Sequence, residues 1–264
     1  MAEFTSHPPG TPSWVDLMSP DIDASKAFYQ SAFGWDAEDQ LDPEGNRVYV
    51  MFSVNGKGAA GLGGQPPDMG PMPALWNTYI TVADVVATTE AVTSAGGSVV
   101  MPAMQVMEAG EMAVFTDPTG AAFSVWKPGQ HIGAEIGNEP NTFSWNELMT
   151  RDIDTAKAFY SQVFGWEYDS MDMGAGGIYN VISGGESGGL GGLMAMPAEI
   201  PAEVPNHWMV YFSVADIEAS LKTITEAGGT LLNGPMAIPG VGSMATIHDP
   251  QGGAFSLMEP EAQD

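Results

Sequence analysis

The first helical pattern of the chain ends in an apolar stripe formed by Phe28, Tyr29 and Phe33. The spacing of these residues places them on one face of a helix. Asp21 is suited to cap the start of this helix, and Gly34 is suited to end it. The pattern therefore predicts a helix over residues 21–33.

Short β-rich runs separated by turn residues surround this helix, and the same arrangement then recurs after residue 76. The order strand, helix and further strands indicates a βαβββ module, present twice in the first half of the chain. The predicted elements are strand Trp14–Met18, helix Asp21–Phe33, strands Arg47–Val54, Ala59–Gly64 and Asn77–Val82, helix Asp84–Ser94, and strands Ser98–Met104, Glu111–Thr116 and Ala121–Trp126.

The second half repeats the first. The segments that begin at Ser13 and Ser144 are identical at 14 of 26 positions, and Tyr79 and Phe123 recur as Tyr211 and Phe255. A repeat of this length indicates a tandem duplication. We predict an α+β fold of four βαβββ modules in two duplicated halves. The sequence leaves open whether modules pair within a half or across halves.

The boundaries follow from the repeat. Residues 13–126 and 143–260 form the two predicted domains, and the Gly- and Pro-containing stretch 127–142 forms the linker. Residues 1–12 are rich in proline and are expected to be a flexible arm.

The net charge of the chain limits the classes of molecule that it can be expected to bind. The 33 Asp and Glu residues face only 7 Lys and Arg residues, which gives a net charge of −26. So few cations cannot neutralise many phosphates, so we expect neither nucleic acid nor a membrane as partner. The negative electrostatic field of the chain favours the binding of neutral or cationic small molecules.

The chain contains no cysteine, which excludes disulfides and thiolate metal sites. No apolar run is long enough to span a membrane, and the first residues do not resemble a signal peptide. We expect a cytoplasmic monomer or homodimer.

Several motifs occur in the same order in both halves: Phe28-Tyr29 with Phe33-Gly34-Trp35, Ala95-Gly96-Gly97, and the turn Asp117-Pro118-Thr119-Gly120. Together they resemble the glyoxalase/bleomycin-resistance/extradiol-dioxygenase (vicinal oxygen chelate) superfamily, in particular its tandem actinobacterial glyoxalase-like group. The resemblance implies that paired modules make each half a curved-sheet cup, with helices outside and a ligand inside.

The resemblance also implies where metal ligands would lie, on the first and last strand of each module. Those positions carry mostly residues that bind hard divalent ions poorly. They are Trp14, Asn77 and Ser124 in the first half, Trp145, Met209 and Ser256 in the second, and the glycine-rich stretches at 61–62 and 191–192. We therefore expect no cofactor, with a divalent metal as the minority alternative.

Strand alternation predicts which side chains face the cups. Asp16 and Glu147 are the candidate catalytic residues. The candidate ligand-binding residues are Trp14, Met18, Asn77, Tyr79, Ser124 and Trp126 in the first half, and Trp145, Met149, His207, Met209, Tyr211 and Ser256 in the second. Glycines in the stretches 56–64 and 184–192 leave room for a close approach to the backbone.

Each candidate has a structural alternative. Asp16 and Glu147 are either bound by a neighbouring tyrosine or backbone amide, or free to accept a proton or pair with a cationic ligand. The tryptophans and tyrosines are either core residues or ligand contacts. The methionines fill gaps or form an adaptable pocket, and His207 is more often structural.

The favoured function is a metal-independent small-molecule-binding protein that holds a planar apolar or cationic ligand, in resistance or natural-product tailoring. The alternative is a glyoxalase-like lyase or hydroxylase-type enzyme that uses a pocket carboxylate for proton transfer. A metal-dependent lyase or dioxygenase and a non-catalytic scaffold are further alternatives. The halves differ at Asn77 and Met209, so their pockets could be unlike.

Overall fold

A computed structural model of the chain describes residues 2–66, 70, 72–184 and 187–261. Within that part, two eight-stranded sheets and four helices form the two halves. None of the helices described is long and apolar enough to cross a bilayer. The predicted α+β architecture of two repeated halves is confirmed.

The first half contains two modules in sequence. Its elements follow the short N-terminal strand β1 (Ala2–Glu3) and are β2 (Pro12–Ser19), α1 (Ile22–Phe33), β3 (Asp36–Leu41), β4 (Arg47–Val54), β5 (Lys57–Gly64), β6 (Leu75–Thr81), α2 (Val85–Ser94), β7 (Ser98–Val106), β8 (Gly110–Thr116) and β9 (Ala122–Pro128).

The second half repeats this order after a short linker strand, β10 (Ile136–Gly137). Its elements are β11 (Phe143–Thr150), α3 (Ile153–Phe164), β12 (Glu167–Asp172), a 3-10 turn (Gly174–Gly176), β13 (Ile178–Gly184), β14 (Ser187–Ala195), β15 (His207–Ser213), α4 (Ile217–Glu226), β16 (Thr230–Ile238), β17 (Gly242–His248) and β18 (Ala254–Pro260).

The modules pair within each half. The first sheet has the strand order β3-β4-β5-β2-β6-β9-β8-β7, and the second has the equivalent order β12-β13-β14-β11-β15-β18-β17-β16. At the centre of the first sheet, β2 and β6 run antiparallel with Asp16 opposite Asn77 and Trp14 opposite Tyr79. Each central strand is flanked by a parallel strand of its own module, β5 or β9. This topology brings the first strands of the two modules side by side.

The helices begin and end where the sequence predicts. The Asp21 side chain accepts a hydrogen bond from Ala24 N, and Asp152 caps the equivalent helix α3 in the same way. Gly34 and Gly165 end these helices with φ of 67° and 71°. That left-handed backbone favours glycine because it has no Cβ.

The helices lie outside the cups, as predicted, but each is covered by the other half. Helix α1 packs against α4, and α2 packs against α3. Phe212 of β15 is fully buried and lies 5.0–5.4 Å from the rings of Phe33, Trp35 and Trp76. One continuous core therefore contains residues of both halves.

A hydrogen-bonded chain also crosses between the halves. The Trp76 indole N–H donates to the Tyr29 hydroxyl at 2.9 Å, and Tyr29 donates to Asp249 Oδ2 at 2.8 Å. In the mirrored position, Trp208 donates to Tyr160 at 3.0 Å. The bond from Tyr29 connects helix α1 of the first half to the Asp-Pro turn of the second half. It also satisfies the Asp249 carboxylate, because a buried carboxylate without a partner would be unfavourable.

The prediction of a loose N-terminal arm is wrong. Strand β1 pairs with β10 of the linker, and Gly10 N donates to Thr81 O at 2.8 Å. Trp166 of the second half donates its indole N–H to Gly10 O at 2.8 Å. The segment is ordered because its backbone groups find partners in both halves, which its Pro-rich composition does not reveal.

The sequence pattern also fails to locate one strand in each half. Strands β3 and β12 lie at sheet edges, and most of their residues are exposed. A strand without a buried face has no alternating apolar signal.

We predict that Phe212→Ala destabilises both halves together. Loss of this buried ring should lower the free energy of unfolding by about 3–5 kcal/mol, because little can collapse into the cavity. Urea titration measures the free energy of unfolding, and hydrogen exchange of the β2 and β11 amides reports the stability of each half separately. The substitution Val100→Ala, at an exposed position, serves as the control. Unchanged protection of β2 would contradict a shared core.

Candidate functional site

The face of each sheet that points away from the helices forms a cup. We call the face around β2 and β6 cup one, and the face around β11 and β15 cup two. Trp14, Tyr79 and Trp126 form a cluster on cup one that is separate from the helix-side core. The predicted alternation therefore places Trp14, Asp16, Asn77, Tyr79 and Ser124 on one face, and their counterparts in the second half do the same.

A buried carboxylate lies at the centre of cup one. Asp16 Oδ2 accepts hydrogen bonds from the hydroxyls of Tyr49 at 2.8 Å and Tyr79 at 3.0 Å, and Oδ1 accepts from Asn77 Nδ2 at 2.8 Å. The Trp14 indole N–H donates to the Tyr49 hydroxyl at 3.1 Å. The structural alternative considered for Asp16 is thus what the structure shows, a carboxylate held by tyrosine hydroxyls.

The glycines on β5 make room for one of these tyrosines rather than for a ligand. A Cβ on Gly61 would overlap the Tyr49 hydroxyl, whereas one on Gly63 would meet the Tyr49 ring at an ordinary 3.6 Å. Gly192 stands in the same relation to Tyr179 in the second half. Glycine at these positions lets the phenol ring lie against the strand and reach the carboxylate.

Cup two repeats this arrangement of a carboxylate and tyrosine hydroxyls, but with one hydrogen-bond donor fewer. Tyr211 donates to Glu147 Oε1 at 2.9 Å, Tyr179 also hydrogen-bonds this carboxylate, and the Trp145 indole N–H donates to Tyr179 at 2.9 Å. Met209 stands opposite Glu147 where Asn77 stands opposite Asp16. The longer glutamate therefore loses the amide donor that its counterpart has.

Burial governs the ionisation of both carboxyl groups. Burial raises the pKa of Asp16 above its ordinary value, against the opposing hydrogen bonds from Asn77, Tyr49 and Tyr79. Burial likewise raises the pKa of Glu147, opposed by Tyr179 and Tyr211. The pKa values of Tyr79 and Tyr211 are raised by burial and by the adjacent carboxylates, so these hydroxyls remain protonated donors.

The linker closes cup one. We call residues 129–137 the strap. Ala134 N donates to Ser13 O at 2.7 Å, and the His131 ring lies 4.5 Å from the Trp14 ring. Trp14 is only 4% exposed as a result, whereas its counterpart Trp145 in cup two is half-buried. The two cups thus carry similar networks but differ in access.

The remaining predicted residues lie around these networks. Ser124 and Ser256 are buried and hydrogen-bond Tyr79 and Tyr211. Met18 and Met149 are half-buried at the ends of the same strand faces. His207 pairs opposite Met149, one step beyond the Glu147–Met209 pair, and its Nδ1 lies 2.9 Å from the Pro205 carbonyl oxygen.

An open groove of about 440 Å³ lies outside the cups, at the start of α1. Among the described residues that line it, the one cation is Arg47, which lies 2.6 Å from Asp23 Oδ1 and 3.7 Å from Asp39 Oδ2. The charge of Arg47 is therefore already compensated.

The cup residues do not fit a divalent metal. The strand positions where the family would hold one carry Trp14, Asn77 and Ser124, and the nearby Asp16 already accepts three hydrogen bonds. In the described residues, no three His, Asp or Glu side chains come together as a ligand group. Metal independence stays a prediction, and we derive no chemical step through a metal.

Comparison with known proteins identifies the family. The model of the Glyoxalase/Bleomycin resistance protein/Dioxygenase superfamily matches residues 11–125 and 142–257. The chain belongs to this superfamily. The resemblance predicted from the sequence motifs is confirmed.

Relatives of this superfamily protein align over almost its whole length. CFP32 of Mycobacterium tuberculosis (strain CDC 1551 / Oshkosh), provisionally named a glyoxylase, is 44% identical over 264 residues, 100% of both chains. The anthracycline biosynthesis protein DauV of Streptomyces sp. (strain C5) is 38% identical over 268 residues, 97% of this chain and 95% of DauV. The predicted link to actinobacterial proteins is thereby confirmed.

Solved structures share the fold at low identity. The 2,3-dioxygenase LapB from Pseudomonas sp. KL28 has a TM-score of 0.66 at 15% identity, covering 97% of this chain and 94% of LapB. The Mn(II)-bound glyoxalase from Novosphingobium aromaticivorans has a TM-score of 0.66 at 16% identity, covering 95% and 82%. These similarities show the shared superfamily fold.

Sequence analysis missed the strap over cup one and the partnership of Tyr49 with Asp16. The glycine at the position of Gly61 in both halves, with a tyrosine on the preceding strand, was a signal for the second feature. No motif in the linker signals the first, because it depends on how a non-periodic segment crosses the sheet.

We predict that Gly61→Ala is far more damaging than Gly63→Ala. The new methyl group must displace Tyr49 and break its bond to Asp16, which should cost about 2–4 kcal/mol of unfolding free energy. Thermal unfolding of the two variants measures the difference. Equal stability of both variants would show that Tyr49 does not lie against Gly61.

We predict that Glu147→Gln gains stability relative to the wild type as pH rises. A carboxyl group with a raised pKa favours folding at or below its ordinary value of 4.5, and this contribution is lost as pH rises through the folded pKa. Melting curves from about pH 4 to about pH 8 measure the difference, with exposed Glu199→Gln as the charge control. A pH-independent difference between Glu147→Gln and wild type would contradict the raised pKa.

Proposed function

We propose that the protein binds a planar, apolar or cationic small molecule in cup two without a metal. The role would be sequestration for resistance or an accessory step in natural-product tailoring. Its partner is the small molecule, and the shortage of Lys and Arg argues against nucleic acid or a membrane. We retain a cytoplasmic monomer or homodimer as the expected state.

The observation that carries this proposal is the half-buried Trp145 beside a buried carboxylate. Trp145 lies over the exposed Gly189, where a Cβ would come within 2.8 Å of its Cη2 atom. Its indole N–H is held by Tyr179, which fixes the ring plane. An oriented and partly exposed indole supports stacking on a flat ligand or a cation.

The carboxylate supplies the second element of recognition. Glu147 lacks the amide donor that Asn77 gives to Asp16, so its negative charge is less fully compensated. A cation placed near Glu147 would therefore gain more interaction free energy than a cation placed near Asp16. The net charge of −26 further favours a cationic ligand over an anionic one.

The relatives suggest which compounds to test. Two of them are named anthracycline biosynthesis proteins. An anthracycline such as doxorubicin combines a planar polycyclic quinone with a cationic amine, the two properties that cup two favours. This choice rests on the relatives' names and is part of the proposal.

Proton transfer by Glu147 is a second candidate function. Burial raises the pKa of this carboxyl group, and the Tyr211 hydroxyl lies 2.9 Å from it. A carboxylate of this kind can act as a general base beside a carbonyl. Turnover that Glu147→Gln abolishes while ligand binding persists would favour this candidate.

We predict that doxorubicin quenches the protein's fluorescence saturably at one equivalent per chain. Trp145→Ala should weaken binding about 5- to 30-fold, since stacking on an indole is worth about 1–2 kcal/mol. Trp14→Ala is the matched variant in the closed cup and should change binding little. Prior dialysis against a chelator should have no effect.

The carboxylate variants identify the type of ligand. Glu147→Gln should weaken a cationic anthracycline but not its neutral aglycone, whereas Asp16→Asn should affect neither. Equal loss in Trp14→Ala and Trp145→Ala would move the site away from cup two. Binding of no planar compound by the folded protein would refute the proposal.

A further inference from the structure

The strap holds to cup one through its backbone at several points. His131 N donates to Ala109 O at 3.1 Å, Ala134 N to Ser13 O at 2.7 Å, and Glu135 N to Gly58 O at 2.8 Å. A Cβ on Gly133 would lie 2.6 Å from Ser13 O, and the φ of Gly133 is 102°. Glycine at position 133 therefore allows the strap to approach the backbone of β2 more closely than any other residue would.

The strap places an imidazole ring among the aromatic residues of the cup. The His131 ring meets the Trp14 ring edge-on, with centroids 4.5 Å apart and planes at 83°, and it lies 5.6 Å from the Trp126 ring. Trp126 also donates its indole N–H to His131 O at 2.8 Å. The imidazole ring therefore contacts both tryptophans of cup one in T-shaped arrangements, which aromatic pairs favour.

One ring nitrogen of His131 does not take part in this fixation. Its Nε2 atom is buried and has no hydrogen-bond partner among the described residues. Burial lowers the pKa of His131 to about 4, with Glu135 acting to raise it and His7 to lower it. The ring is therefore neutral at neutral pH, and its position is set by the aromatic cup and by the strap backbone.

We propose that cup one is a latent binding site for a neutral, planar nitrogen heterocycle, and that the imidazole of His131 occupies it in the folded chain. The chemical class is defined by the occupant itself: a flat ring, uncharged, of five or six members. The inference concerns cup one alone and stands independently of the ligand proposed for cup two.

The difference in exposure between two equivalent tryptophans supports this. Trp14, which meets the His131 ring, is 4% exposed, whereas Trp145 at the equivalent position of the second half is half-buried.

The test is rescue of a ring-deleted variant by free imidazole. His131→Ala and His131→Gly should unfold at lower temperature than the wild type, and imidazole at ~10 times its Kd should raise their midpoint by roughly 3–5 °C, saturably. The unfolding midpoint of the wild type should not change with imidazole. Nor should that of the control variant His248→Ala, in which a histidine of the second half is removed. Rescue should weaken below about pH 6.5, where imidazole becomes charged.

Two outcomes would overturn the proposal. One is a folded His131→Ala that shows no saturable response to imidazole, and the other is an equal response in His248→Ala. Should the variants not fold alone, refolding yield with and without imidazole gives the same comparison. In the wild type, the amides of His131, Ala134 and Glu135 should exchange as slowly as those of β2, and fast exchange would show that the strap is not seated. Failure of doxorubicin binding in cup two would affect none of these results.

Discussion

The need to satisfy a buried carboxylate at the centre of each sheet governs the composition of both cups. A carboxylate out of water is unfavourable unless hydrogen bonds replace its hydration. Tyrosines from other strands of the same sheet meet this need around Asp16 and Glu147. Tyr49 and Tyr179 reach the carboxylates across the intervening strand, which requires glycine at Gly61 of β5 and Gly192 of β14. The tryptophans then fix the hydroxyls of Tyr49 and Tyr179.

This network includes or adjoins the strand positions where the family resemblance implies metal ligands, such as Trp14 and Asn77. Several solved structures with that fold are dioxygenases, and one is a Mn(II)-bound glyoxalase. In this chain, the centre of each cup carries a carboxylate with tyrosine donors. The same scaffold can therefore present an oriented indole and a carboxylate to a ligand, and the function has to be argued from those groups rather than from the fold.

The duplication produces two similar sheets but unlike cups. Shared aromatic packing through Phe212 and the Tyr29–Asp249 bond fixes the halves against each other on their helix sides. The cups lie on the opposite faces of the sheets, and the linker between the halves passes over cup one. Trp14 is buried beside His131, while Trp145 is only half-buried. A covalent connection needed for tandem folding thus makes the two sites unequal.

The sequence by itself determined the elements that depend on local spacing and on repetition. The duplication, the four modules, the helix cap at Asp21, and the faces carrying Asp16 and Glu147 all follow from the repeat, from periods of 3.6 and 2 and from turn residues. Tertiary structure alone decided which partners these side chains meet. The bond from Tyr49 to Asp16 spans two strands that are not neighbours in sequence. The position of His131 depends on a segment without periodicity, whose path is set by backbone groups it finds only after both halves have formed.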